Sequence, residues 1–256
     1  MLVLLPPSEG KASSGRGAPL KPESLSLPGL AEARAAVLDE LVELCAADEE
    51  KAREVLGLSE GLRGEVAKNV ELRTAGARPA GEIYTGVLYD ALGYRTLTPA
   101  QRRKADASVL VISALWGAIR FADRVPAYRL SMGTSLPDVG RLASFWKPQL
   151  SEALTEATAS QLLVDCRSST YAAAWTPPPE RTVAVNVFTE VNGIRKVVSH
   201  FAKHTRGELA RHLLTRRGKA PQTPAQLRKA AAEKWTAELV EGTARKPHTL
   251  NLILPN

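Results

Sequence analysis

Only two cysteines, Cys45 and Cys166, occur among the 256 residues. They stand far apart and lack the paired spacing of a zinc or redox site. A chain of this length buries enough surface to need neither disulfide nor metal, so a reduced, cytoplasmic setting is expected. Long apolar runs are also missing. The apolar start from Met1 to Leu5 meets Pro6 and Pro7 at once, with no basic segment before it. A secretory leader needs a longer run and a membrane span roughly 20 residues, so neither leader nor membrane partner is expected. No internal repeat or low-complexity tract appears, which argues against a solenoid or a linker-rich chain. There is no Gly-x-Ser-x-Gly elbow, no P-loop spacing, and no Asp/Glu/His or Cys cluster of a ferroxidase or iron–sulfur type. No cofactor and no bound metal are expected.

What the chain does have is charge, unevenly placed. The net charge is +7, yet residues 195–256 alone carry +9 and residues 1–194 carry −2. Concentrated Lys and Arg gain by displacing the counterions condensed on a polyanion, which makes nucleic acid the first partner to consider. The plainer reading is a set of Arg-rich helices that keep a basic protein in solution.

Apolar spacing outlines the fold. Residues 2–5 read as a buried strand that leaves through a Pro-, Ser- and Gly-rich loop. From Leu30 a helical stripe runs through Val37, Leu41 and Leu44 and continues, broken by glycines, to Val70. Residues 84–92 read as a helix entered through a glycine turn, and Thr98-Pro99 as a cap followed by proline in the first helical position. Residues 109–113 and 161–166 read as core strands ending in polar turns. Asn192-Gly193 between two alternating runs, 182–190 and 194–199, signals a hairpin. Helices are expected at 201–216 and from Thr223 to about Trp235, and a last strand at 248–254. Strands alternating with helices, together with one antiparallel hairpin, imply an α/β (α+β) single domain with a mixed β-sheet surrounded by helices.

Buried strands of such sheets present functional groups at their carboxyl ends. Lys11 follows the first strand among Ser8, Glu9 and Gly10, and there offers either an ammonium to a phosphate or a solvated loop side chain. Tyr84, Thr85 and Gly86 sit near a helix start, where free amides attract anions, although a hydroxyl there also caps its own helix. Arg120, Tyr128 and Arg129 follow the strand at 109–113. Guanidinium forks grip phosphate in two bonds, and a phenol can stack on a base or donate a proton. Trp116 beside them is a stacking platform or, more simply, core. Lys203 and Arg206 are three apart on one helical face and can converge on one anion. His200 and His204 have metal-capable spacing, with His212 two turns on, but no further ligands accompany them. Ser168, Ser169 and Tyr171 follow the strand ending near Cys166 and can complete a cleft by hydrogen bonding. Asp165 and Cys166 read as structural. The catalytic candidates are Lys11, Tyr84, Tyr128 and Lys203. The wider phosphate-binding set adds Thr85, Arg120, Arg129, Ser168 and Arg206.

Four segments together resemble the YaaA family of bacterial peroxide-stress proteins. They are residues 81–86 (GEIYTG), residues 112–120 (ISALWGAIR) with 126–133 (PAYRLSMG), Phe145-Trp146, and residues 199–207 (SHFAKHTRG). They lie in the family's order and at its approximate separations. The resemblance implies one domain over residues 1–256, with a helix-hairpin-helix element in a helical subregion at 30–75. That element would centre on residues 56–66, with Arg63 and Lys68 as its DNA contacts. The resemblance also matches Lys11 to a lysine after the family's first strand, in a different local motif, and Lys203 to a family position. Typical members carry Tyr and Lys near His200 and His204, which places those histidines on the periphery. The implied function is protection of double-stranded DNA, bound largely through its phosphates, from iron-dependent oxidative damage. The competing reading is an enzyme acting on a nucleotide, nucleobase or small phosphorylated ligand in a basic cleft. A third is an interaction module whose basic tail meets an acidic protein.

Overall fold

In a computed structural model of the chain, residues 1–254 are described apart from Ser14, Arg16, Asn192, Gly193 and Val198, and the side chains of Val191, Ile194, Val197, Ser199 and His200. Eight strands build the main sheet: β1 (Leu2–Leu5), β2 (Val109–Ser113), β3 (Gly117–Arg120), β4 (Leu163–Asp165), β5 (Thr182–Val191), β6 (Ile194–Val197), β7 (Thr236–Val240) and β8 (His248–Leu254). Their order is β7-β8-β5-β4-β1-β2-β3, with β6 hydrogen-bonded to β5. The pairs β1–β2, β1–β4, β4–β5 and β5–β8 are parallel, whereas β2–β3, β5–β6 and β7–β8 are antiparallel. This is the mixed sheet of an α/β domain.

The central strands are apolar along their whole length because both faces are covered. β1 and β2 are buried at every position. One apolar cluster reaches from Leu2 to Leu252 and takes in Trp116, Trp146 and Trp175. Helices α1 (Ala31–Ala47), α2 (Glu49–Leu56) and α3 (Gly64–Val70) form the amino-terminal helical region. They are followed by α4 (Val87–Leu92), α5 (Pro99–Ser108), α6 (Leu142–Ala157), α7 (Ser199–Thr215) and α8 (Pro224–Ala231). Thr98 closes a capping box with Gln101 at the start of α5, as its Thr-Pro pair implies. No helix among the described residues is long and apolar enough to cross a membrane.

Some local expectations change. Residues 84 and 85 are not in a helix: a single helical turn at Ala80–Ile83 ends first, and Tyr84 is extended. Gly86, at φ 89° and ψ −179°, then admits the chain to α4, a conformation essentially confined to glycine. The segment after β2 is a strand as well as a turn, because Gly117 starts β3 and carries the chain back along β2. Helix α8 stops at Ala231, and Thr236 opens the unforeseen edge strand β7. The hairpin strands β5 and β6 pair as expected, while the Asn192-Gly193 turn itself lies outside the described residues.

Candidate ligand-binding cleft

A cleft of about 340 Å³ opens at the carboxyl ends of β1 and β4, lined by Pro6 to Gly10, Thr85 to Tyr89, Ser131, Cys166, Ser168, Tyr171, Lys203 and Arg206. Two devices shape it. First, the loop after β1 zips onto the segment before α4. The Ala12 amide donates to the Ile83 carbonyl at 2.8 Å, Lys11 forms a bridge with Tyr84, and the Thr85 amide donates to Ser8 Oγ at 3.1 Å. Second, α7 packs closely on α4. A Cβ on Gly207 would collide with the Leu88 carbonyl, so only glycine permits this approach. One helical turn earlier, the same helix brings Lys203 and Arg206 to the cleft wall.

Lys11 stands beside the loop of Ser8 to Gly10 that lines the cleft. Its Nζ donates to the Ser8 carbonyl at 2.7 Å and lies 4.1 Å from the Tyr128 ring centroid and 5.6 Å from that of Tyr84. Burial, and then the nearby Arg129 charge, lower its pKa to about 7, against an opposing pull from Glu65 and Glu9. Carbonyls and ring faces therefore hold a lysine whose proton is loosely kept.

Behind it runs a buried hydroxyl chain. Tyr84 Oη lies 3.0 Å from Tyr128 Oη, which lies 2.7 Å from Ser113 Oγ. Ser113 Oγ also accepts the Leu115 and Trp116 amides at 3.2 and 3.1 Å. A hydroxyl has two acceptor sites and one hydrogen, so Ser113 donates to Tyr128, and one of the two phenols donates to the other. One phenolic hydrogen of the pair is left for a further acceptor. Burial raises both phenol pKa values well above the usual range, and the phenols stay protonated. Along the cleft, Tyr89 donates to the Pro6 carbonyl at 2.7 Å. Burial also pushes up the Tyr171 phenol, while the Met132 backbone and the Ser131 side chain bond to it and pull the other way. Cys166 lines the cleft, but burial pushes its thiol up to about 12, which makes it a poor nucleophile.

Arg129 reaches the mouth, where its guanidinium holds the exposed Glu9 carboxylate at 2.9 Å. Its backbone is pinned by Asn69 in α3, which donates to the Arg129 carbonyl at 2.8 Å and accepts its amide at 2.9 Å. Arg206 spends Nε and one Nη on the Val185 carbonyl. Ser168 is exposed just before a single helical turn at Ser169–Ala172. The structure thus gathers Lys11, Tyr84, Thr85, Tyr128, Arg129, Ser168, Lys203 and Arg206 in or beside one cleft.

Arg120 is not among them. It pairs with Leu110 near the start of β2, away from the carboxyl edge, and its guanidinium bonds the Ala107 carbonyl at 2.9 Å. The return strand β3 carries it there. Trp116 is 1% exposed and packs edge-on against Tyr128, which makes it core. Phe145-Trp146 is also structural at its second residue, whose Nε1 donates to the Ala114 carbonyl at 2.7 Å. Arg63 lies among Glu49, Glu50 and Glu60, and Lys68 on Glu65. His204 pairs with Glu208, while buried His212 contacts the Ala230 carbonyl and Glu233. The His200 side chain lies outside the described residues. Among the described residues no His/Cys/Asp/Glu group has the arrangement of a metal site.

Asn69 and Ser113 are functional supports that sequence reasoning missed. Ser113 lies inside a noted motif, but nothing local marks its direction of donation, and nothing near Asn69 announces a partner sixty residues on. Buried Arg34 is a third, its guanidinium donating to the carbonyls of Ser26, Leu27, Trp116 and Ala118 and fixing the turn after β2.

A single α/β domain with a mixed sheet and a cleft at the carboxyl ends of β1 and β4 is the class of protein defined here. The family model described as peroxide stress protein YaaA matches residues 1–239. The chain is 58% identical to a UPF0246 protein of Streptomyces coelicolor over 99% of this chain and 98% of that one. It is 41% identical to a UPF0246 protein of Corynebacterium efficiens, over 99% and 100% respectively. A more distant relative from Dinoroseobacter shibae is 33% identical over 77% of each chain. The chain belongs to the YaaA peroxide-stress family.

Proposed function

We propose that the chain serves the peroxide stress response by binding a phosphate-bearing anion in the cleft. The observation that carries this reading is the meeting of Lys203 and Arg206, from α7, on one concave site with the hydroxyls of Ser8, Thr85 and Ser168 on its walls and Lys11 beside the lining loop after β1. A cavity of about 340 Å³ suits a small ligand such as a nucleotide or sugar phosphate. Calorimetric titration with a nucleoside monophosphate tests it. Lys203→Ala should weaken binding by about tenfold, roughly 1.4 kcal/mol. His204→Ala should change it little, because His204 already pairs with Glu208. A greater loss from His204→Ala would overturn the assignment.

A second reading rests on a different surface. Arg217, Lys219, Arg228, Lys229 and Lys234 are all exposed along and around α8, and they hold much of the carboxyl-terminal charge. Such a face suits double-stranded DNA gripped through phosphates without base preference, and DNA so covered is shielded from iron-dependent oxidative damage. Arg63 and Lys68 would join only by leaving their carboxylates, which ranks them below α8. Affinity for several unrelated duplexes should fall steeply with salt and depend little on sequence. Salt-independent affinity would remove this reading. The compartment proposed for either activity is the cytoplasm, where the two buried free thiols stay reduced.

A further inference from the structure

The cleft holds more than a phosphate site requires. An anion is gripped well enough by Lys203 and Arg206 at the wall. Lys11 lies beside the lining loop, its Nζ directed to the carbonyls of Ser8 and Glu9, both cleft-lining residues. Beside it, the Tyr84–Tyr128 pair keeps one phenolic hydrogen to give. An amine next to phenols that cannot easily ionise, with cations on the wall of the adjoining cavity, is the equipment of carbonyl chemistry.

We propose that Lys11 forms a reversible imine with the aldehyde of an open-chain phosphorylated sugar, whose phosphate rests against Lys203 and Arg206. This deepens the phosphate reading above and rests on it. The lysine proton is lost near neutrality, and a neutral amine no longer feels the cation–π attraction of Tyr128 and Tyr84, so it is released toward the cleft. The nitrogen lone pair adds to the aldehyde carbon as the C=O π bond opens, and the oxygen takes up a proton. The nitrogen loses one proton here and its second as the C=N bond forms. The carbon–oxygen bond of the adduct then breaks, and the oxygen, protonated again, leaves as water while the C=N bond forms. Amine and aldehyde give imine and water, with no oxidant or reductant, and water reverses the step.

Two sources present this chemistry: a free sugar phosphate, and a DNA sugar that has lost its base. Ribose 5-phosphate and a duplex with one base-less sugar are therefore incubated separately with the full chain and cyanoborohydride. Intact mass and peptide mapping then locate the reduced adduct. The expected result is a single adduct on Lys11, absent in Lys11→Arg and forming faster as pH rises through about 7. Labelling of Lys11 should outpace that of Lys203 by roughly tenfold or more, since an ordinary lysine near pKa 10.4 is almost wholly protonated there. The probe that labels identifies the source. Mapping on the wild-type chain keeps the test independent of how well the variant folds. Adducts spread over exposed lysines such as Lys219 and Lys229 would overturn the proposal. Ribitol 5-phosphate, which has no carbonyl, separates the two ideas. If it binds while no adduct forms, the imine is wrong and the phosphate reading stands; if it does not bind and no adduct forms, both fall.

Discussion

Ser113 receives two amide hydrogens and gives its own to Tyr128, so one buried oxygen organises the turn after β2 and the orientation of two phenols. Ser113→Ala leaves these donors and acceptors without a partner in the core and should cost about 1–3 kcal/mol, read as a lower urea midpoint at unchanged slope. Lys11 makes a prediction of opposite kind. Its folded pKa, near 7, is below the ordinary value of 10.5, so between those limits the unfolded chain holds the proton more tightly. Stability contributed by this group therefore rises as pH goes from about 7 to about 10.5, and the burial cost of its charge is fully present below 7. Lys11→Met should flatten that rise, measured by denaturant midpoints of both proteins at intervals from neutral to alkaline pH. At this scale the sequence was partly legible. Lys11, Tyr84, Tyr128, Lys203 and Arg206 stood in runs whose residue types offered anion-binding chemistry. Arg120 looked equal to them because distance along the chain does not reveal which way the next strand turns.

The approach of α7 to α4 depends on the missing side chain at Gly207. Gly207→Ala must push the helices apart at the Leu88 carbonyl and should destabilise the fold by about 1–3 kcal/mol, seen as a lower melting temperature. Because Lys203 and Arg206 ride on α7, the same change should weaken phosphate binding in the calorimeter even where the protein is fully folded. Elements with strong local signals were readable: β2 from its β-branched run, α5 from Thr98-Pro99, β8 from alternating apolar residues. β3 hid behind Gly117, which reads as the end of a turn. β7 hid because Thr236 to Val240 is an edge strand with half-exposed side chains, and its pairing comes from β8 rather than from its own pattern. The helical subregion was legible as helix, but not its link to the cleft, which runs through the single buried amide of Asn69.

Over the whole molecule the charge asymmetry is partly neutralised. Arg195 is clamped by Glu190 and Glu238, and Arg216 by Glu233, leaving the exposed cations around α8 as the main positive face. Replacing Lys229 and Lys234 by Glu should lower duplex affinity at low salt by tenfold or more, roughly 1.4 kcal/mol or above, and reduce the salt slope, without altering binding in the cleft. Gel-shift titrations at several salt concentrations, paired with calorimetry on the small ligand, check both halves. The order of the sheet has a different bearing, on how the molecule comes into being. β1 leaves the ribosome before both of its neighbours, β2, where Val3 meets Val109, and β4, where Leu2 meets Leu163. The helices of residues 31–70 can collapse early on local contacts, while the apolar opening segment waits unpaired until β2 emerges and keeps one open edge until β4 follows. A nascent chain released before β4 has no middle to its sheet, and one released before α7 has no cleft. Such fragments offer a sticky strand to chaperones and proteases instead of a partly working protein.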